Sequence, residues 1–265
     1  MRCIFCKQDS SSSKSVEHIF PESLGNLELT LPMGAVCDKC NNYFATHLEQ
    51  PMMASSEISY LRFNQQLRNK KGRAPLAYVF FGRHAVKARR EGKLQFSFEA
   101  EDYKIIQKYL VGESSKRMII PVSGLPPSDD ITSRWLAKMA LEFLAHKWLA
   151  IEDWNRYIIE HDGLDPIRKY AREPKPNETW TFSKRRIYDE NAIKASLDGL
   201  HAQMIFECDI LATGTAEASE FYFVIAVFGM EYAINFGGNS MDGYYHWLEK
   251  HNEASPLNIG KNAGF

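Results

Sequence analysis

The chain has 265 residues, of which 45% are hydrophobic and 25% charged, and its formal net charge is −1. This composition is typical of a globular protein and provides enough apolar side chains for a sizeable core. Because the apolar runs are too short to cross a bilayer as a helix and no secretory signal opens the sequence, we expect no membrane association and a cytoplasmic location.

The predicted secondary structure mixes helices and strands. A short strand over 16–20 ends before Pro21, and a helix follows the last of four N-terminal cysteines, over 41–48. Further helices are predicted over 58–67, 103–111, 128–159, 166–171 and 244–251. Further strands are predicted over 76–81, 86–90, 94–98, 117–122, 180–188, 202–211 and 221–236, the last as a hairpin that turns near Gly229. The predicted fold class is therefore α+β, with an N-terminal module over 1–51 and a larger mixed α+β domain over 52–265.

Four of the five cysteines form two CxxC pairs, Cys3 with Cys6 and Cys37 with Cys40. Each pair places two thiolates on one tight turn, so the two pairs together predict a tetrahedral zinc site. Four sulfur ligands leave no open position on the ion, and the zinc is expected to stabilise the fold of this short module and to do no chemistry. A purely structural zinc ribbon without catalysis is therefore an alternative for the whole protein.

A second motif lies between and after the two cysteine pairs. It comprises Glu17-His18-Ile19-Phe20-Pro21, then Leu24-Gly25, and finally Asn41 directly after the second pair. In this order and spacing, the cysteines and the motif resemble the HNH endonuclease family, whose fold is the ββα-metal nuclease module. The resemblance covers about a fifth of the chain and implies an N-terminal, zinc-stapled ββα-metal nuclease module.

The resemblance implies a role for each residue of this motif. His18 is expected to be the general base, since a neutral imidazole can accept a proton from water near pH 7. Glu17 and Asn41 are implied as the protein ligands of a catalytic divalent ion. One carboxylate oxygen and one amide oxygen suit Mg²⁺ or Mn²⁺.

Two departures from the family pattern remain. The middle Asn of the pattern has no clear match, because Asn26 lies rather early, and a backbone carbonyl is expected to orient His18 instead. The metal-binding acid is Glu17 where Asp is commoner. His47, six residues after Asn41, is a further candidate for a third ligand of this ion. A separation of six residues on a helix, however, favours a different face from that of Asn41.

A basic stretch follows the module. Between residues 62 and 93, ten lysines and arginines are opposed only by Glu91, a local charge of about +9. Such a stretch can follow the phosphates of a nucleic acid, and Arg83, Lys87, Arg89 and Arg90 are its candidate contacts. A solvated strand and loop is the alternative interpretation.

The sequence thus predicts a Mg²⁺- or Mn²⁺-dependent HNH endonuclease that acts on DNA, with double-stranded DNA as the expected partner. Analogy with similar fusions suggests restriction or anti-phage defence, with residues 52–265 selecting the target or sensing a signal. The alternatives are a non-catalytic zinc-ribbon protein that binds nucleic acid or a partner, and an HNH nuclease that cuts RNA. Whether the chain forms homo-oligomers is left open.

Overall fold

The computed structural model describes residues 1–26, 28–69, 71–112, 117–195, 201–215 and 218–258. The fold is a mixture of helices and antiparallel sheets, which confirms the predicted α+β class. No helix within those ranges is both long enough and apolar enough to cross a membrane.

The strands are β1 (Glu17–His18), β2 (Thr30–Leu31), β3 (Leu76–Phe81), β4 (His84–Arg90), β5 (Phe96–Phe98), β6 (Met118–Ile119), β7 (Phe182–Arg186), β8 (Ile193–Ala195), β9 (His201–Gln203), β10 (Phe206–Thr215), β11 (Ala218–Val227) and β12 (Met230–Asn235). The helices are α1 (Asp38–Phe44), α2 (Gln50–Ala54), α3 (Ser56–Asn64), α4 (Tyr103–Gly112), α5 (Asp129–Trp148), α6 (Trp154–Glu160), α7 (Asp165–Arg172) and α8 (Asp242–Lys250). A π-helical turn, Ala45–Glu49, lies between α1 and α2.

The chain divides into two compact units. The larger unit consists of Met1–Ile19, Leu29–Leu48 and Asp129–Phe265, and the smaller unit consists of Phe20–Glu28 and Glu49–Ser128. The predicted boundary near Pro51 divides the sequence into a functional module and a companion domain. The two compact units are instead groups of residues that pack together in space, so they do not test this boundary, and it stays a prediction.

Helix α5 is the centre of the larger unit. Every residue from Thr132 to Phe143 is buried, polar ones included, which is typical of a helix surrounded by protein on all sides. Asp129 and Asp130 in its first turn and His146 and Lys147 in its last turn complement the helix dipole. The helix contacts α6, α7, β2 and β12, so it connects the N-terminal ribbon to the rest of the unit.

A four-stranded antiparallel sheet with the order β10-β11-β12-β7 completes the core of the larger unit. Strands β11 and β12 form the hairpin predicted at Gly229, closed by Phe228 and Gly229 with φ values of +46° and +78°. This two-residue turn with positive φ matches the twist of antiparallel strands. A Cβ on Gly229 would lie 2.1 Å from the carbonyl oxygen of Tyr188, so the position requires glycine.

The smaller unit is built on a second antiparallel sheet, with the order β5-β4-β3-β6. Phe63 of α3 and Ile106 of α4 pack on Val79 and Val86 of this sheet. The predictions for α3, β3, β4 and α4 are therefore confirmed: β3 has the predicted bounds, and the ends of the other three elements differ by at most three residues.

Two predicted elements are wrong. The single helix over 128–159 is two helices, because the chain turns after Trp148 and Asp153 adopts a left-handed conformation with φ +61°. The single strand over 202–211 is β9 and β10, since β9 pairs with β8 and β10 pairs with β11. Neither β2 nor β8 is predicted; the two strands have only two and three residues.

Candidate functional site

The four N-terminal cysteines come together in the larger unit. The Sγ atoms of Cys3, Cys6, Cys37 and Cys40 all lie within 4.8 Å of one another, and those of Cys6 and Cys37 are 3.7 Å apart. Zinc–sulfur bonds of about 2.3 Å in a tetrahedron place sulfur atoms about 3.8 Å apart. The cluster can therefore hold a zinc ion, and its donor set fits that metal.

The backbone around the cluster is arranged to support thiolates. The amide of Cys37 donates to Sγ of Cys3, and the amide of Cys40 donates to Sγ of Cys37, each over 3.4 Å. Cys37 is also the N-cap of α1, so the second CxxC pair determines where that helix begins. A hydrogen bond from the Cys40 thiol lowers the pKa of Cys3 to about 5 although burial opposes it, which favours the metal-binding thiolate form of Cys3.

Two arginines of α7 lie beside the cysteine cluster. Arg168 donates from Nε to the carbonyl oxygen of Ile4, over 2.6 Å, and so holds the first cysteine turn. Burial lowers the pKa of Arg172, but the charges of Cys40 and nearby anions outweigh this and raise it. Because four thiolates exceed the charge of one zinc ion, these cations offset the remaining negative charge.

Glu17 and His18 form β1, which pairs with β2 in a two-residue antiparallel ribbon. Successive side chains of a strand point to opposite faces, and the two residues differ accordingly. Glu17 is buried, whereas His18 is half-buried and lies opposite Thr30. The ribbon therefore places the acid and the histidine on opposite faces.

The carboxylate of Glu17 is held by a lysine that the motif does not contain. Nζ of Lys138, in the middle of α5, donates to Oε1 of Glu17 over 2.6 Å and to Oε2 of Glu142 over 2.9 Å. Lys138 and Glu142 are fully buried, and Glu17 is 4% exposed. The three charges form a buried ion-pair cluster that connects β1 to the central helix.

Removing the cation of this cluster is expected to destabilise the protein. Lys138→Met leaves two carboxylates buried without their cation, and breaking a buried pair costs about 3–5 kcal/mol of the free energy of unfolding. Urea denaturation followed by circular dichroism measures this loss. Lys147→Met is the matched control on the same helix, since the Lys147–Asp209 pair is about half exposed and such pairs contribute about 1 kcal/mol or less. Equal effects of the two substitutions would contradict a structural role for the buried cluster.

Asn41 lies on α1 next to Cys40, so the cysteine cluster fixes its position along the helix. Its side chain is half-buried, and within the described part of the chain its side-chain carboxamide takes part in no hydrogen bond, whereas its backbone N–H donates to the carbonyl oxygen of Cys37. His47 lies in the π-helical turn, exposed and stacked on the Tyr43 ring with centroids 4.4 Å apart. Within the described ranges, no second group of three or more histidine, cysteine or acidic side chains gathers as the four cysteines do.

Asn26, the early candidate for the middle Asn, organises a loop of the smaller unit. It is 1% exposed, its Nδ2 donates to the carbonyl oxygen of Phe20 over 2.6 Å, and its Oδ1 accepts from the amide of Glu28. Just before it, Gly25 ends a short 3-10 turn with φ +100°. The Leu24-Gly25-Asn26 segment therefore shapes the chain that follows the Glu-His pair.

The four candidate nucleic-acid contacts lie on or beside β4 in the smaller unit, and they are not equivalent. Nη1 of Arg89 donates to the carbonyl oxygen of Ala74, and Nη1 of Arg90 donates to that of Asn64, both over 2.9 Å. These two guanidinium groups therefore support their own unit. Arg83 is exposed at the β3–β4 turn, and Lys87 is half-buried. Lys70 lies outside the described residues.

Comparison with known proteins identifies the N-terminal segment. Residues 3–55 match the family model described as HNH endonuclease. That range contains both cysteine pairs, the Glu17-His18 ribbon strand and Asn41. Searches of curated proteins and of solved structures found no match to the chain.

Proposed function

We propose that this protein is a metal-dependent endonuclease that hydrolyses phosphodiester bonds in DNA, on the premise that residues 3–55 form an HNH endonuclease domain. The observation that carries the proposal is that this match includes a histidine on a strand of the ribbon and an asparagine on the helix that begins at the cysteine cluster. Hydrolysis of a phosphodiester needs a base to activate water and a cation beside the phosphate, and this segment offers candidates for both.

His18 is proposed as the general base. An imidazole is the side chain whose ordinary pKa allows it to accept a proton from water near pH 7. Its place on β1, on the face opposite buried Glu17, leaves the ring only half-buried and within reach of a substrate. The ribbon and α5 hold the backbone of this strand, so the base is presented by a rigid element.

Glu17 and Asn41 are proposed to hold the catalytic Mg²⁺ or Mn²⁺. Their carboxylate and amide oxygens form a hard donor set suited to either ion. Lys138 binds Oε1 of Glu17, which leaves Oε2 as the donor atom of that residue. When bound, the ion supplies charge neutralisation at the phosphate and stabilisation of the leaving oxygen. Cys3, Cys6, Cys37 and Cys40 are proposed to hold the structural zinc.

The Lys138–Glu17 pair also favours the alternative function, a zinc-ribbon protein that binds nucleic acid or a partner without cutting it. A buried carboxylate that already has a lysine partner gains less from a metal ion than a free one, because the ammonium competes for the same charge. The geometry of the cysteine cluster is compatible with both functions. An assay for cleavage therefore decides between the nuclease and the zinc-ribbon protein that does not cut.

Substrate binding is proposed to use Arg83 and Lys87 of the smaller unit. The guanidinium groups of Arg89 and Arg90 already donate to carbonyl oxygens, which makes them poorer phosphate contacts than the sequence predicts. Lysine and arginine contacts to phosphate do not depend on the nucleotide sequence. Arg83 and Lys87 would therefore supply affinity for the nucleic acid and leave selectivity to other residues. A role in restriction or anti-phage defence rests on analogy alone.

The proposed function is tested with supercoiled plasmid incubated with zinc-loaded protein in Mg²⁺, in Mn²⁺ and without added metal. A metal-free buffer is preferable to a chelator, because a chelator would also remove the structural zinc. We expect nicked and linear products only when Mg²⁺ or Mn²⁺ is present. Cleavage of structured RNA but not of DNA would identify the substrate as RNA, and binding without cleavage of either would support the zinc-ribbon alternative.

A further inference from the structure

One face of the hairpin formed by β3 and β4 lies outside the core of the smaller unit. Alternate residues of the two strands, among them Val79 and Val86, point into that core. Tyr78 and Lys87 therefore belong to the other face, because successive side chains of a strand point to opposite sides. The two residues are directly opposite each other in the strand register, and Tyr78 is 49% exposed. A large aromatic ring and a cation thus lie side by side at the surface.

A depression of about 180 Å³ lies beside this pair of residues. Tyr78 and Lys87 line it from the hairpin, and Ser56, Ser59 and Tyr60 line it from α3. The hydroxyl of Tyr60 donates to the carbonyl oxygen of Tyr78 over 3.2 Å, which fastens the helix to the strand. The ring of Tyr78 is therefore presented by a supported strand, which holds a binding group more precisely than a loop does.

Three polar groups at the depression are available to a ligand. Among the described residues, none forms a hydrogen bond or an ion pair with the ammonium of Lys87, the hydroxyl of Tyr78 or the hydroxyl of Ser56. The described residues that line the depression include no aspartate or glutamate. Asp102 accepts a hydrogen bond from the backbone N–H of Lys87 and does not belong to the lining. The depression therefore offers a cation and free donors, which suit an anionic ligand.

The combination of an exposed ring with a free cation narrows the class of ligand. Single-stranded nucleic acid carries both counterparts, since its bases have flat faces that stack on aromatic side chains and its phosphates bind lysine. In an intact duplex each base is already stacked and paired, so a ring on a strand reaches a base only after that base leaves the helix. Arg83, exposed at the β3–β4 turn, adds positive charge near the same hairpin.

We propose that this face of the smaller unit binds an unpaired segment of nucleic acid, with a base stacked on Tyr78 and a neighbouring phosphate on Lys87. The hydroxyl of Ser56 provides a further donor for the sugar–phosphate backbone. The inference rests on the proposed function and deepens it by naming the substrate. That substrate is a single-stranded or locally unpaired stretch, whereas the sequence alone predicts double-stranded DNA.

The test is a titration of the full-length His18→Ala protein, loaded with zinc, with a fluorescently labelled single strand and with the duplex of the same sequence. Tyr78→Ser should weaken binding of the single strand at least about fivefold, because the stacking of one base is lost. The same substitution should change duplex binding by less than about twofold, since a paired base is not available to the ring. Tyr78→Trp keeps a flat ring and should bind the single strand within about twofold of the unsubstituted protein. Fluorescence anisotropy follows both titrations.

Two further variants separate stacking from charge and from general surface effects. Lys87→Gln removes one phosphate contact and should lower the slope of log affinity against log salt by roughly 0.7 on the single strand. Tyr78→Ser removes no charge and should leave that slope unchanged. The control is Tyr103→Ser on α4 of the same unit, because that side chain is 56% exposed and does not line the depression. It should bind both nucleic acids as the unsubstituted protein does.

The outcomes distinguish the two sources of a single strand and the two proposals. Titration with DNA and RNA strands of the same sequence identifies which of them the face binds. The inference is overturned if the single strand does not bind, or if Tyr78→Ser weakens strand and duplex equally or neither of them. Since no arm depends on cleavage, stacking on Tyr78 in a protein that cuts nothing would reject the proposed function and leave this site intact. Cleavage of plasmid together with a Tyr78→Ser variant of unchanged affinity would reject this inference alone.

Discussion

His18→Ala is expected to lower the rate of plasmid cleavage by at least about 10²-fold, while zinc content and the free energy of unfolding stay nearly unchanged. Removing a general base typically costs between about 10²- and 10⁴-fold in rate, because the attacking water keeps its proton. The half-buried position of His18 on a two-residue ribbon predicts only a small loss of packing. Initial rates in saturating Mg²⁺ measure the effect.

A second variant and a control distinguish catalysis from structure. His18→Asn keeps a polar side chain of similar size without a nitrogen that titrates near pH 7, so it should be as inactive as the alanine variant. His246→Ala is the control, since that imidazole lies on α8 with its side chain 62% exposed. Cleavage by His18→Ala within about tenfold of the wild-type rate would refute its assignment as the base.

The local features of this protein could be predicted from the sequence because short stretches of chain determine them. The two cysteine pairs are such a case, since a CxxC turn already places two sulfur atoms on one side of the backbone. The hairpin at Gly229 is another, because two residues with positive φ form it without help from distant parts. The cysteine cluster and the hairpin are therefore confirmed.

Contacts between distant residues could not be predicted in this way. Lys138 reaches Glu17 across 121 positions, and Arg168 reaches Ile4 across 164. A lysine and a glutamate four residues apart on an apolar helix are a weak signal of such a buried cluster, since the same spacing is common on exposed helices. Glu17 on β1 becomes the partner of Lys138 only when α5 packs against the ribbon.

In the basic stretch, contacts with the backbone are likewise not visible in the sequence, and here the sequence predicts more available cations than the structure provides. Charge counted along the sequence treats Arg83 and Arg90 as equal, but the Arg90 guanidinium donates from Nη1 to the carbonyl oxygen of Asn64 and from Nη2 to that of Lys93, so part of its hydrogen-bonding capacity is used within the fold. Arg62 likewise donates to the carbonyl oxygen of Ser23. A cluster of cations in sequence therefore overestimates the number of cations available to a ligand.

Cys37→Ser is expected to remove the bound zinc and to destabilise the N-terminal segment strongly, with loss of cleavage as the consequence. Structural zinc contributes about 10–16 kcal/mol in small zinc-binding peptides, and an alcohol oxygen is a much poorer ligand than a thiolate. Cys37 is the N-cap of α1, and its Sγ accepts a hydrogen bond from the backbone N–H of Cys40. Serine suits this position because its hydroxyl makes the same kind of cap. The cap is thereby retained, and the loss of stability reports on the metal.

Zinc per chain is measured by mass spectrometry of the metal, and unfolding by thermal denaturation with and without added zinc. The wild-type protein should bind about one zinc ion, lose stability when the ion is chelated and regain it when zinc is restored. Cys208→Ser is the control, because this fifth cysteine lies on β10 outside the cluster, and the variant should keep both its zinc and its thermal stability. If Cys37→Ser retained a full equivalent of zinc and unfolded at the wild-type temperature, the four cysteines would not be the zinc site.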